Sequence, residues 1–187
     1  MHQETLAGLL IILGSVTFIF AAWLPISRVF AERNPEVKLS LIEDHAAAWK
    51  VAQFLFALGS GLTVAGLAVL SSYLWAVYAL ITAWVGLALV AVGAFFWLWH
   101  VLQRAADPQA FVQGQQAPWL FPAFTGLTLA ALATYGLTLL LAGYPFWLGL
   151  LLIGSGIIYA LLYLIMKDLP PLFIYTITLI AGVALAL

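Results

Sequence analysis

The chain has 187 residues, of which 66% are hydrophobic and 7% charged, far more apolar surface than a water-soluble domain of this length can bury. A net charge of −1 with no basic run leaves no electrostatic footprint for nucleic acid, so that partner class is excluded. The absence of cysteine removes disulfides, thiol redox chemistry and thiolate metal ligation together.

Long Leu, Ala and Val runs without two-residue alternation indicate helices, which satisfy their own backbone hydrogen bonds in lipid, and argue against a barrel. In chain order, apolar stretches near the ~20 residues that a crossing needs occupy 6–24, 51–70, 74–98, 120–141, 146–166 and 169–187. The expected fold is all-α, a polytopic membrane bundle of six transmembrane helices forming a single domain. Only His2 and Glu4 carry ionisable side chains before the first stretch, and no small-residue cleavage site follows before Pro25, so the stretch reads as a retained span.

The first connection, 25–50, mixes Arg28, Glu32, Arg33, Glu36, Lys38, Glu43, Asp44 and Lys50. Arg28 and Glu32 stand four apart, a spacing that supports a helix continuing past Pro25. Asn34-Pro35-Glu36 is a helix start, with a capping side chain, proline in the first position and an acid in the first turn. That helix would run along the membrane interface with Val37, Leu41 and Ile42 as its apolar stripe, or directly into the second span.

The second span carries Ala57, Gly61 and Ala65 at intervals of four, a small-residue stripe for close helix contact. Its Gly59-Ser60-Gly61 returns in the fifth span as Gly154-Ser155-Gly156, a weak hint of a three-plus-three inverted repeat. The third span can continue to Gln103, longer than a ~30 Å hydrocarbon core requires, and carries Trp97, Trp99 and His100 toward the headgroups. Gln113, Gly114, Gln115 and Gln116 mark the connection at 99–119 as the most flexible stretch. The fifth connection is short, 167–168.

All six basic residues lie in connections one, three and five. By the positive-inside rule these connections are cytoplasmic and both termini are outside. Few lysines and many Ala, Leu, Gly and Trp point to a bacterial plasma membrane.

No Asp, Glu, Lys, Arg or His falls near the centre of a span, which argues against proton- or sodium-coupled transport and against a retinal protein needing a mid-membrane lysine. No nucleophile triad, paired carboxylates, phosphate loop or His-x-x-x-His pair is present, so no catalytic and no metal residues are expected. His45 and His100 are the candidate cofactor ligands, because the topology brings the start of span two and the end of span three to one face. They would take a haem or a chlorophyll-type pigment; simple interfacial histidines are the plainer reading, and no cofactor is otherwise called for.

Candidate pocket-lining groups for a neutral ligand are Gln53, Ser60, Thr63, Trp84, Tyr135 and Tyr159, against the default that such groups only bridge helices. Trp84 is deep in its span, where core packing is the simpler role. Trp49 and Trp97, near span ends, read with most other tryptophans as belt anchors.

Gly143-Tyr144-Pro145-Phe146-Trp147-Leu148-Gly149 followed by Gly156 resembles the later hairpin of small bacterial six-span proteins in a family of unknown function. The glycine-containing first span before a charged loop also resembles theirs, so the likeness covers about half the chain. It implies an integral membrane protein with no catalytic residues to carry over.

The sequence therefore leads to a non-enzymatic accessory or binding subunit in contact with lipid, meeting a protein partner through its cytoplasmic loops. The alternatives are an uncoupled transporter or channel for a small neutral or lipidic solute, and a haem or pigment protein.

Overall fold

A computed structural model describes residues 3–166 and 169–187. Among these, the chain forms nine helices and no strand: α1 (Gln3–Trp23), α2 (Ser27–Ala31), α3 (Pro35–Asp44), α4 (Ala46–Ser72), α5 (Val77–Ala106), α6 (Pro108–Val112), α7 (Leu120–Leu141), α8 (Phe146–Met166) and α9 (Pro171–Ala186). Five of them, α1, α4, α5, α7 and α8, are long and apolar enough to cross a membrane, the mark of a membrane protein. The sixth apolar helix, α9, has 16 residues, or about 24 Å at 1.5 Å per residue. It is shorter than the 169–187 stretch suggested because Pro170 and Pro171 lack backbone N–H groups and confine the start of the helix to Pro171. Lys167 and Asp168, which make up the fifth connection, lie outside the described residues, as do Met1 and His2.

The long helices form a ring in the order α9, α1, α4, α5, α7, α8, with only a slight seam where α8 returns to α9. Lipid supplies no hydrophobic drive between helices, so close backbone approach must hold them. Three glycine pairs provide it. A Cβ built on Gly14 would stand 2.7 Å from the Gly59 carbonyl oxygen, and one on Gly59 2.7 Å from that of Gly14, which fixes the α1–α4 crossing. Gly8 and Gly182 do the same for α1 and α9, and Gly136 and Gly149 for α7 and α8.

Gly61, expected in the contact stripe, has nothing within 4 Å of its Cβ position, and Ala65 is exposed. The working stripe on α4 is instead Gly59, Thr63 and Gly66, all buried. The two Gly-Ser-Gly elements share a placement, since Gly59 packs on α1 and Gly156 on α7, each the preceding long helix. Their serines differ: Ser60 bonds the Tyr175 hydroxyl across the bundle, whereas Ser155 bonds the Leu152 carbonyl of its own helix.

Within the first connection Asn34 caps α3, its Oδ1 accepting from the N–H of Glu36 at 2.9 Å and of Val37 at 3.4 Å. The backbone breaks at His45 (φ −124°, ψ 34°), so α3 does not run into α4. Ile42 is buried while Val37 stays exposed, leaving a narrower apolar stripe than expected. Arg28 and Glu32 sit on either side of the end of the five-residue α2, where the Glu32 N–H donates to the Arg28 carbonyl. The third connection is not featureless: Asp107 caps α6 by accepting from the Ala110 N–H at 2.8 Å, and α6 packs on α3 and α5.

The ring has two distinct ends. Gly8 lies against Ala186, and Glu4, Tyr73 and Tyr144 are joined by hydrogen bonds, so both chain ends and the α4–α5 and α7–α8 turns share one end. The other end carries α2, α3, α6 and the start of α9, and with them Arg28, Arg33, Lys38, Lys50 and Arg104. These are termed the terminal end and the basic end.

Candidate functional site

At the basic end a cavity of about 400 Å³ opens among α1, α2, α3, α4, α5, α6, α7 and α9. Its wall on α5 follows from helical spacing: Trp97, His100 and Arg104 recur at intervals of three and four and face inward together. Arg104 is only 4% exposed. Its guanidinium lies 4.8 Å from the Phe30 ring, 4.8 Å from Phe111, 5.2 Å from Trp49 and 6.0 Å from Trp97. These rings come from α2, α6, α4 and α5, so the small helices of both connections fold over this one side chain. Its main-chain carbonyl accepts from Trp49 Nε1 at 3.1 Å, which ties the start of α4 to the end of α5.

Among the described residues the charge has no acid to answer it. Arg104 Nε and Nη2 are buried without a hydrogen-bond partner, and no carboxylate among the described residues is within ion-pair distance of them. Removing a guanidinium from water costs several kcal/mol, and cation–π contacts return about 0.5–2 kcal/mol each at best. Lys38 lines the same cavity, with its ammonium 5.2 Å from the Phe111 ring. Its pKa lies below 10.5, chiefly through burial and secondly through the charge of Arg104, with Glu32 opposing. Glu32 spends Oε1 on the backbone N–H groups of Arg33 and Asn34 and is not part of the lining. Trp97 Nε1 and His100 Nδ1, also on lining residues, are buried without partners. Two cations and two orphaned ring nitrogens, with no acid among the described lining residues, make a receptor for negative charge.

The floor is aromatic. Phe18 stacks on Tyr175 at 3.7 Å and 10°, with Phe56 at 4.8 Å and Trp97 at 5.6 Å. Behind this plug the ring encloses a narrow lumen of about 50 Å³, lined largely by aliphatic side chains with Ser60, Thr63 and Tyr135 among them. Its polar groups are mostly paired: Ser60 with Tyr175 at 2.6 Å, Ser71 with Tyr135 at 2.9 Å, and Thr63 with the Gly59 carbonyl at 3.0 Å.

The sequence-derived candidates are thus divided. Ser60, Thr63 and Tyr135 meet in the lumen, and His100 lines the basic-end cavity. His45 is exposed, with Nδ1 3.3 Å from the Leu41 carbonyl, and lines neither space. Gln53 is buried outside both, its amide oxygen and nitrogen unpaired. Trp84 is 53% exposed on the outer face of α5, neither core nor lining, because the inward face of that helix falls at Ala79, Ala83, Gly86 and Val90. Tyr159 sits beside Phe173, 6.1 Å between rings, at a shallow depression on α8. Trp49 and Trp97 are buried to 1% and 2%; they form the site rather than a membrane belt. Arg104 was missed as a site residue because a basic residue at a span end satisfies the orientation rule by itself. Its signal was the Trp97-His100-Arg104 spacing on one face.

No cluster of three His, Asp or Glu side chains suited to a metal occurs among the described residues. Compared with models of known protein families, with characterised proteins and with solved structures, the chain matches none of them.

Proposed function

We propose that this chain is a six-span protein of the bacterial plasma membrane, with both termini outside and its basic end cytoplasmic, that works by binding rather than catalysis. Its binding site is the cavity around Arg104, and its ligand is an anion. The observation that supports this reading is a guanidinium buried to 4% exposure with Nε and Nη2 unpaired. A structural arginine in such a place would carry its own carboxylate.

The exposed charges of α3 and the turn before it, including Arg33, Glu36, Glu43 and Asp44, lie at this end and offer a protein partner its contact surface. Native mass measurement of protein gently extracted from its own membranes tests both parts. A bound anionic molecule that disappears in Arg104→Met is the expected result, and a stoichiometric partner chain would add the accessory role. Repeated recovery of bare protein, from wild type and variant alike, would refute the binding reading.

Uncoupled transport is a second reading, supported by the Phe18–Tyr175 stack, of which Tyr175 lines the lumen and Phe18 the cavity. Proteoliposome flux of a small solute that rises in Phe18→Ala would favour it. A pigment reading rests on His100 alone, since His45 lies elsewhere; a colourless native protein would end it.

A further inference from the structure

Resting on the anion-binding reading, we propose that the ligand is a membrane amphiphile, an anionic headgroup carrying an apolar chain, held with its charge on Arg104 and its chain along the aromatic floor. The free atoms of Arg104, Nε and Nη2, form the side-on edge of the guanidinium, whose two parallel N–H bonds match a pair of oxygens on a phosphate or carboxylate. Lys38, Ser27 and His100 share the lining with it. The cavity is also lined by Pro171 and Leu172 at the start of α9, where the positive end of the helix dipole falls.

The remaining lining is apolar, with ten of the fourteen residues hydrophobic or proline. A small inorganic anion occupying a few water volumes, ~30 Å³ each, would leave most of the roughly 400 Å³ unfilled and the rings of Phe18, Trp97 and Phe121 facing water. A cavity of this size suits a ligand with an apolar body. Ala22 of α1 and Leu172 of α9 both line the space, and the chain of the amphiphile would leave toward lipid between these two helices. The charge lies at the end of long apolar helices, the level at which lipid headgroups sit.

The test is a chain-length series on the wild-type protein in a non-ionic detergent, titrating inorganic phosphate, butyl phosphate, octyl phosphate and dodecyl phosphate, with dodecanol as the uncharged control. Intrinsic fluorescence reads binding through Trp97 and Trp49, which adjoin Arg104. Dodecyl phosphate should bind saturably and about tenfold or more tighter than butyl phosphate, dodecanol should not displace it, and Arg104→Met should weaken it about tenfold or more. Equal binding of inorganic, butyl and dodecyl phosphate would overturn the amphiphile and leave a site for a small soluble anion. Equal binding of dodecanol and dodecyl phosphate would mean non-specific partition and overturn the proposal. No binding of any phosphate to protein that unfolds cooperatively would overturn both this inference and the anion reading. The wild-type series decides these outcomes even if Arg104→Met fails to fold.

Discussion

The two ends of the bundle are built from opposite materials. At the terminal end glycines let backbones touch: Gly8 on Gly182, Gly136 on Gly149 and Gly66 on the Ala7 carbonyl. The remaining polar groups there tie one another, with the Tyr144 hydroxyl donating to Glu4 at 2.8 Å and lying 3.3 Å from that of Tyr73. At the basic end Phe18, Phe56, Trp97, Phe121 and Phe124 meet ring against ring, and rings prop helices apart. Toward the first end there is only the narrow lumen, beside Leu70, Leu139 and Leu185; the second keeps the larger cavity and the unpaired Arg104 guanidinium. Without a hydrophobic drive between helices in lipid, contact at one end must be close enough to tolerate the opening at the other.

The sharpest way to break this contrast is to separate the glycine end. In Gly136→Val even the first carbon would stand 2.6 Å from the Gly149 carbonyl oxygen and 2.8 Å from the Ile153 nitrogen, both backbone atoms that cannot yield without moving α8. Thermal unfolding in detergent should show a loss of about 3 kcal/mol or more, or no cooperative transition. Gly61→Ala, in open space, should be neutral or gain slightly from helix propensity. Equal losses at the two sites would show that close approach is not what holds the ring.

The basic end should respond with the opposite sign. With no ligand present, Arg104→Met removes a buried charge that lacks a counter-ion among the described residues and should raise stability by about 1 kcal/mol or more, while abolishing anion binding. A destabilised variant would mean that the four surrounding rings outweigh the desolvation cost.

Next in size is the tyrosine pair. Tyr144→Phe deletes the bond to Glu4 and should cost about 1 kcal/mol. Burial comes first in raising the pKa of Tyr144, with the Tyr73 and Glu4 hydrogen bonds adding to it. A raised folded-state value means that this contribution is complete below the ordinary phenol value of about 10 and is lost as pH climbs through the folded value. Wild-type stability should therefore fall above pH ~10, less steeply in the variant. A wild-type profile unchanged across that range would disprove the sign.

The smallest expected effect lies at Lys38. Its depressed pKa, lowered by burial and by Arg104 against the pull of Glu32, predicts that anion affinity declines a few-fold as pH rises toward 10.5. Lys38→Met should flatten that decline. His100 and Arg104 face the same cavity, so any part of the profile that survives in the variant belongs to them. A wild-type affinity constant over that range would remove Lys38 from the site.

Much of the local structure was legible in the chain. The runs at 120–141 and 146–166 are α7 and α8 residue for residue, Asn34-Pro35-Glu36 starts α3, and the basic residues described gather at one end. Proline was underread at Pro170-Pro171, and the capping acid Asp107 before Pro108 was a helix start overlooked in a glutamine-rich stretch. The faces were not legible. Ala57-Gly61-Ala65 and Gly59-Thr63-Gly66 are both small-residue stripes on α4, and it is the second that meets the backbone of α1 at close range, while Gly61 faces open space.

What the sequence determined by itself is therefore one-dimensional: where apolar runs are long enough to be helices, where prolines and capping side chains start them, and on which connections charge resides. Only the tertiary structure decided which side of each helix turns inward, that Trp84 faces out while Trp49 and Trp97 are buried, and that Arg104 lies without an acid inside an aromatic cavity. A helix apolar on every side has no amphipathic stripe to declare its orientation. In such a helix the choice falls to the fit of glycines and rings across the bundle, a property of pairs of helices that no single run contains.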